Sequence, residues 1–295
     1  MANNPLVSPG FPSVPPKRRF YVPVVYKFIL TNSISILWLT VSFFVSLPWI
    51  RGLSRIIGPY TAWPAVVFIA LFPGYLSMFL LFSLLLDRPP QLNLDLDPPP
   101  VSLIMATYNE QKRIEETLRS LRHQNYRGLL EIIMIDDGST DETRDIVSRS
   151  GIPDLRLIRA EHAGKAAALN RGLREASCDY TISIDADTFL HPEAVTRIMS
   201  RLLNDSPQTA AVAGCVLAKN SRQSLMTRLQ EWDYFLAIAS VKRHQALYQG
   251  TLVAQGAFSV YKTRVLKEMN GWPACIGEDI VLTWAMIKAG YRIGF

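Results

Sequence analysis

Two long stretches without charge in the first third constrain this chain more than anything else in it. Residues 28–49 form an apolar run of about 22 residues, enough to cross a hydrocarbon core roughly 30 Å thick. Residues 61–86 carry no charged side chain. The polar members of the first run, Thr31, Asn32, Ser33 and Ser35, are uncharged and suit a helix packed on a neighbour. Pro64, Pro73 and Gly74 interrupt the second and predict a kink or a close contact. A pair of buried core helices is the alternative to two membrane spans. A signal peptide fits poorly, because the first run starts late and is followed directly by another. Lys17, Arg18, Arg19 and Lys27 precede the first run, and Arg51 and Arg55 sit between the two. That bias predicts both ends in the cytoplasm, as in a multi-pass protein of the cell inner (plasma) membrane.

The rest of the chain divides accordingly. Residues 1–27 read as a mobile basic tail, 28–86 as two spans, and 87–100 as an extended Pro-rich linker. From 101 onward, apolar runs of strand length alternate with helical patterns, the mark of an α/β layer with a mostly parallel sheet. The strands expected there cover 101–106, 130–135, 155–158, 180–184, 210–217 and 252–261. Residues 221–248 read as one long helix with Leu225, Leu229, Trp232, Leu236 and Ala239 on one side and Arg222, Arg228 and Lys242 on the other. Such a helix belongs either in a core or in a membrane interface. The net charge of +6 suits anionic lipid and diphosphate; no Arg-rich or basic-aromatic run points to nucleic acid. Cys178, Cys215 and Cys275 are odd in number and far apart, unlike a disulfide framework or a zinc site.

Acidic residues stand at the ends of several expected strands. Asp185-Ala186-Asp187 follows the run 180–184, Asp136-Asp137-Gly138-Ser139 follows 130–135, and Thr107-Tyr108-Asn109-Glu110 follows 101–106. Two carboxylates flanking a small residue can hold a hard dication on a diphosphate, so Asp187 and Asp185 are the candidate ligands of Mg²⁺ or Mn²⁺. Lys165, beside Gly164 at a helix start, is a candidate diphosphate partner. Asp137 and the loop with Thr107, Tyr108 and Glu110 are candidates for the base and ribose. Asp279, in Gly277-Glu278-Asp279, is the candidate general base. Each has a plainer reading: an exposed lysine, turn and cap formers at 136–137, or helix-start acids at 278–279. His162 and His191 stand in polar loops and are given no role. Taken together, the pattern describes a nucleotide-sugar site.

The ordered motifs resemble processive, inverting family-2 glycosyltransferases of membrane polysaccharide synthesis, with poly-β-1,6-N-acetylglucosamine synthases the nearest likeness. The stretches are 106–110, 136–141, 162–170, Asp185-Ala186-Asp187, Gln255-Gly256-Ala257-Phe258 and Gly277-Glu278-Asp279. The resemblance implies a GT-A fold, a UDP-sugar donor and a polysaccharide acceptor near Gln255, Gly256, Phe258 and Glu278. It also implies a lipid bilayer around the spans and accessory synthase subunits as partners. The family's acid triplet opens with threonine where this chain has Gly277. Its later Gln-x-x-Arg-Trp signature would lie beyond Phe295, so 101–295 is expected to be a GT-A domain truncated at its C-terminus. Two other readings stay open: a non-processive transferase acting on a lipid phosphate, and a catalytically incomplete donor-binding fragment.

Overall fold

The computed structural model describes residues 24–86, 92, 97–221, 223–248 and 250–295. The basic tail up to residue 23, Arg222 and most of the Pro-rich stretch 87–100 lie outside the described residues.

Helix α1 (Val24–Ile57) runs well past the expected end and takes Arg51 and Arg55 into its last turns. Gly58, at φ 82°, is the whole connection before α2 (Pro59–Val66). Only a residue without Cβ adopts that backbone freely. A π-helical turn (Val67–Leu71) then leads into α3 (Phe72–Leu85). The π turn has a covalent cause. Pro73 has no N–H to give the carbonyl four residues back, so the regular ladder fails there and a wider turn absorbs the mismatch. Val25–Ile57 and Pro59–Leu85 are both long and apolar enough to cross a membrane, with mean hydropathies of 1.9 and 2.3. They pack antiparallel, with Tyr75 donating to Asn32 Oδ1 at 2.8 Å and Phe28 meeting Phe79 edge to face.

The remaining elements build one seven-stranded sheet. In chain order they are β1 (Val101–Thr107), α4 (Ile114–Arg122), β2 (Leu130–Asp136), α5 (Thr143–Ser148), β3 (Leu155–Arg159), α6 (Lys165–Glu175) and β4 (Tyr180–Asp185). There follow α7 (Ala194–Leu203), β5 (Thr209–Ala213), α8 (Leu225–Asp233), α9 (Val241–Leu247), β6 (Phe258–Lys262), α10 (Thr263–Glu268), α11 (Glu278–Lys288) and β7 (Arg292–Gly294). Alternation along each strand sends side chains to opposite faces. Leu103 and Met105 therefore join Ile114, Leu118, Ile198 and Leu202 on one side, while Ile104 and Ile133 join Leu169, Leu173, Leu282 and Met286 on the other.

Strand order is β3-β2-β1-β4-β6-β5-β7, and every strand but β6 points the same way. The expected 252–261 strand is thus shorter and antiparallel, and the 210–217 strand ends at Ala213. This order places a switch point between β1 and β4, where the chain leaves β1 for opposite sides of the sheet. Ligands of open α/β sheets sit in the crevice beyond the carboxyl ends of strands at such a point. Here Thr107 and Asp185 end the two strands. Because β6 runs backwards, its first residue, Phe258, pairs with Ile184 and brings the preceding 255–257 segment to the same edge.

The single helix expected over 221–248 is interrupted. A Ser224–Thr227 capping box opens α8, and a π-helical segment (Tyr234–Ser240) separates it from α9. No residue of α8 is buried, which rules out the core-helix reading for it. Leu225, Met226, Leu229, Trp232, Phe235 and Leu236 are all exposed. Where this region ends it docks on the hairpin: the Tyr248 hydroxyl lies 3.0 Å from Thr31 Oγ1 and 2.8 Å from Ser83 Oγ.

Candidate active site

The site is assembled from loops that leave β1, β2 and β4, from the start of α6, and from the turns before β6 and α11. Helix α6 comes close because Gly172 has no side chain; a Cβ there would stand 2.4 Å from Ile104 Cγ2. That approach sets its first residue, Lys165, over the end of β4. The Lys165 ammonium lies 2.6 Å from Asp185 Oδ1 and 3.3 Å from Glu278 Oε1. Burial works against its charge, but the two carboxylates outweigh that and raise its pKa. Gly256 crosses the same point, and a Cβ on it would come within 2.9 Å of Lys165 Nζ. Its N–H donates to Asp279 Oδ2 at 3.0 Å. Asp185, Lys165, Glu278 and Asp279, from three separate elements, therefore meet around one glycine.

Asp187 pairs with a different cation from Asp185. Its Oδ2 accepts from Arg113 Nη1 at 3.0 Å, and its side chain is 43% exposed. Burial raises the Glu110 pKa, and Asp187 adds to the rise while Arg113 opposes it. Among the described residues, no three His, Cys, Asp or Glu side chains converge on a metal position. Asp185 and Asp187 remain the pair of hard oxygen donors at the strand end.

The loops after β1 and β2 brace each other. Asn109 adopts φ 53° and accepts from the Thr140 N–H at 2.9 Å, while the Glu110 N–H donates to Thr143 Oγ1 at 2.8 Å. Thr107 is buried and its hydroxyl has no partner. Tyr108 is exposed, and its ring stacks on His162 at 4.2 Å.

Several of the residues expected at the substrate also make bonds that hold the site together. Asp137 is 3% exposed, and its two oxygens accept from the N–H groups of Ala163 and Gly164 at 2.9 and 3.0 Å. The carboxylate expected near base and ribose thus anchors the loop that carries Lys165. Phe258, expected at the acceptor, turns its ring into the core, where a Cβ on Gly214 would meet it at 2.2 Å. Gln255 donates to Gly214 O at 2.6 Å and accepts from Lys242 Nζ at 2.5 Å. Glu278, another expected acceptor residue, pairs with Lys165. Sequence reading missed Arg113, His162 and Lys242. His162 stood inside a quoted motif, but Arg113 and Lys242 carry no local signal, since only the fold brings them here.

The sequence profile of glycosyl transferase family 2 matches residues 102–269, more than half of the chain. The chain belongs to glycosyl transferase family 2. The match takes in the crevice from Thr107 to Phe258 and stops short of Gly277-Glu278-Asp279. The poly-beta-1,6-N-acetyl-D-glucosamine synthase of Staphylococcus aureus (strain COL) is 31% identical over 213 residues, 71% of this chain and 51% of that protein. The synthase of Staphylococcus epidermidis is 31% identical over 198 residues, 66% of this chain and 47% of its own. The chain spans about half the length of the curated relatives it matches. Among solved structures, a mannosyltransferase from Pyrobaculum calidifontis in complex with GDP-Man and Mn²⁺ is similar at a TM-score of 0.60. It is 23% identical, with 90% of this chain and 66% of that one covered. At that identity the likeness speaks for the fold, a GT-A-like α/β architecture. This family-2 member therefore carries a switch-point crevice lined with acids, with Lys165 among them.

Proposed function

We propose that this chain is an inverting membrane transferase. It moves a sugar, N-acetylglucosamine by class, from a UDP-sugar to a growing polysaccharide at the cytoplasmic face of the plasma membrane. One observation carries the reading: the Lys165 ammonium is held between Asp185 and Glu278 under Gly256, whose N–H is bound to Asp279. A group suited to the leaving diphosphate and one suited to the acceptor proton thereby share a single backbone residue.

The carboxylates beside Lys165 and Arg113 suit a dication. Asp185 and Asp187 offer the hard oxygens that Mg²⁺ or Mn²⁺ takes from a protein when substrate phosphates supply the rest. Each already faces a cationic side chain, and Glu110 stands near both, its pKa raised first by burial and then by Asp187. When bound, such an ion would neutralise diphosphate charge as a Lewis acid. The protein's own groups divide the remaining tasks. Asp279 takes the acceptor hydroxyl proton as that oxygen bonds to C1 from the face opposite the leaving group. The C1–O bond to phosphate breaks and the UDP leaves with the electron pair. Lys165, at the positive end of α6, meets the charge that develops there. Asp137 and His162 keep the loop of Lys165 in place, and Tyr108 offers a ring face to the base.

The 31% identity to two polysaccharide synthases supports a polymer acceptor, and the two apolar helices support bilayer attachment of 24–86. Exposed apolar side chains on α8 support contact with the lipid headgroup region, since this segment continues into the hairpin through Tyr248.

The test measures UDP affinity with Mn²⁺, with and without chelator, beside incorporation of labelled sugar from UDP-N-acetylglucosamine. Chelation should weaken UDP binding. Asp279→Asn should leave UDP affinity near wild type and lower transfer by about 10²–10⁴-fold, the usual effect of losing a general base. Were Asp279 only a helix-start acid, Asn would serve as well and transfer would stay within a few-fold. Label recovered in lipid, or in no product, would replace the polymerase reading with one of its alternatives.

A further inference from the structure

Lys242 belongs to none of the motifs above, yet it reaches the centre of the site from outside. Only 9% of it is exposed, and it projects from α9, the helix whose far end rests on the membrane hairpin. Its Nζ donates to Val253 O at 3.1 Å and to Gln255 Oε1 at 2.5 Å, both uncharged acceptors. Burying an ammonium against neutral groups disfavours its charge, and the pKa falls to about 8, with Asp279 and Cys215 opposing the fall. The contacts made in return are specific. Gln255 passes the bond on to Gly214 O, and the next residue, Gly256, donates to Asp279. From the other side, Ala254 N–H donates to Thr283 Oγ1 of α11, which donates in turn to Asp279 O. Residues 253–256 are thus strapped between two helices, and Lys242 is the strap on the α9 side.

We infer that Lys242 is a positioning residue, which fixes the 253–256 segment so that Gly256 holds Asp279 beside Lys165. Its effect falls on turnover and leaves donor affinity alone, because Asp185 and Lys165 are held by other elements. The turnover role rests on the transferase reading, whereas the strap does not.

Two readouts on the full chain in lipid nanodiscs separate these. Hydrogen exchange reads the strap directly, since the Ala254 and Gly256 amides are both hydrogen-bonded and buried. In Lys242→Met their exchange should speed up by about tenfold or more, while amides of β1 and β2 stay as slow as in wild type. Turnover should fall by about tenfold and UDP affinity should hold within about twofold. Gln255→Leu should reproduce both effects, and the double variant should add little, as partners in one bond do. Unchanged protection at 254 and 256 would overturn the inference, and so would a loss of protection spread over the whole sheet. Equal losses in UDP affinity and turnover would do the same. If wild type bound UDP and transferred no sugar, the transferase reading would fall, and the exchange result alone would decide for or against the strap.

Discussion

A methyl group at residue 256 would stand 2.9 Å from the Lys165 ammonium and 3.8–3.9 Å from the carboxylates of Glu278 and Asp279. The near clash is with the tip of a flexible side chain, so the fold has room to keep its shape. Gly256→Ala should therefore melt with wild type while UDP affinity drops severalfold, on the order of 1 kcal/mol, because the ammonium is pushed off its seat. Calorimetry beside a thermal melt reads both; unchanged affinity would separate the Lys165 position from donor binding. Residues at this scale were legible to different degrees. Asp185 and Lys165 could be found in sequence because acids after an apolar run and a lysine after glycine announce strand and helix ends. The inward turn of Phe258 and the loop-holding bonds of Asp137 could not be found, because a motif names residue types and leaves side-chain direction to packing.

Elements show a similar split. Strands β1, β2 and β4 were readable as short apolar runs buried on both faces, and Pro73 foretold the break that became a π turn. The reversed direction of β6 was not readable, since alternation is the same in either sense of the chain. Nor was the division of 221–248, where a single periodicity hid a π-helical segment. The exposed face of α8 leads to a measurement. A nitroxide at residue 229, in a variant with the exposed Cys215 and Cys275 replaced by serine, should collide more often with oxygen than with a water-soluble nickel complex. The reverse ratio in reconstituted membranes would put α8 in water.

For the whole molecule, the depressed pKa of Lys242 sets a sign. The folded chain gives up that proton near pH 8, whereas the unfolded chain keeps it to about 10.5. Between those values the unfolded state binds more protons, so folding stability contributed at this site rises with pH. Wild type should gain on Lys242→Met by about 2 kcal/mol between roughly pH 7 and pH 10, as read by denaturant unfolding in detergent. A gap that stays constant with pH would mean that the ammonium is not desolvated. Long-range placement of this kind was beyond sequence reading, because nothing near residue 242 in the chain names its partners.

The hairpin has a consequence for how such a molecule is made. On the proposed bilayer placement, a connection of one residue, Gly58, puts the hairpin tip, with Arg51 and Arg55 in the turns before it, on the far side of the lipid. Each helix also satisfies polar side chains of the other, Asn32 with Tyr75. On that placement, so short a connection and the shared Asn32–Tyr75 bond favour entry of both helices in one step. In the proposed membrane setting they would then enter the lipid as a pair during biosynthesis, and a lesion in either would strand both.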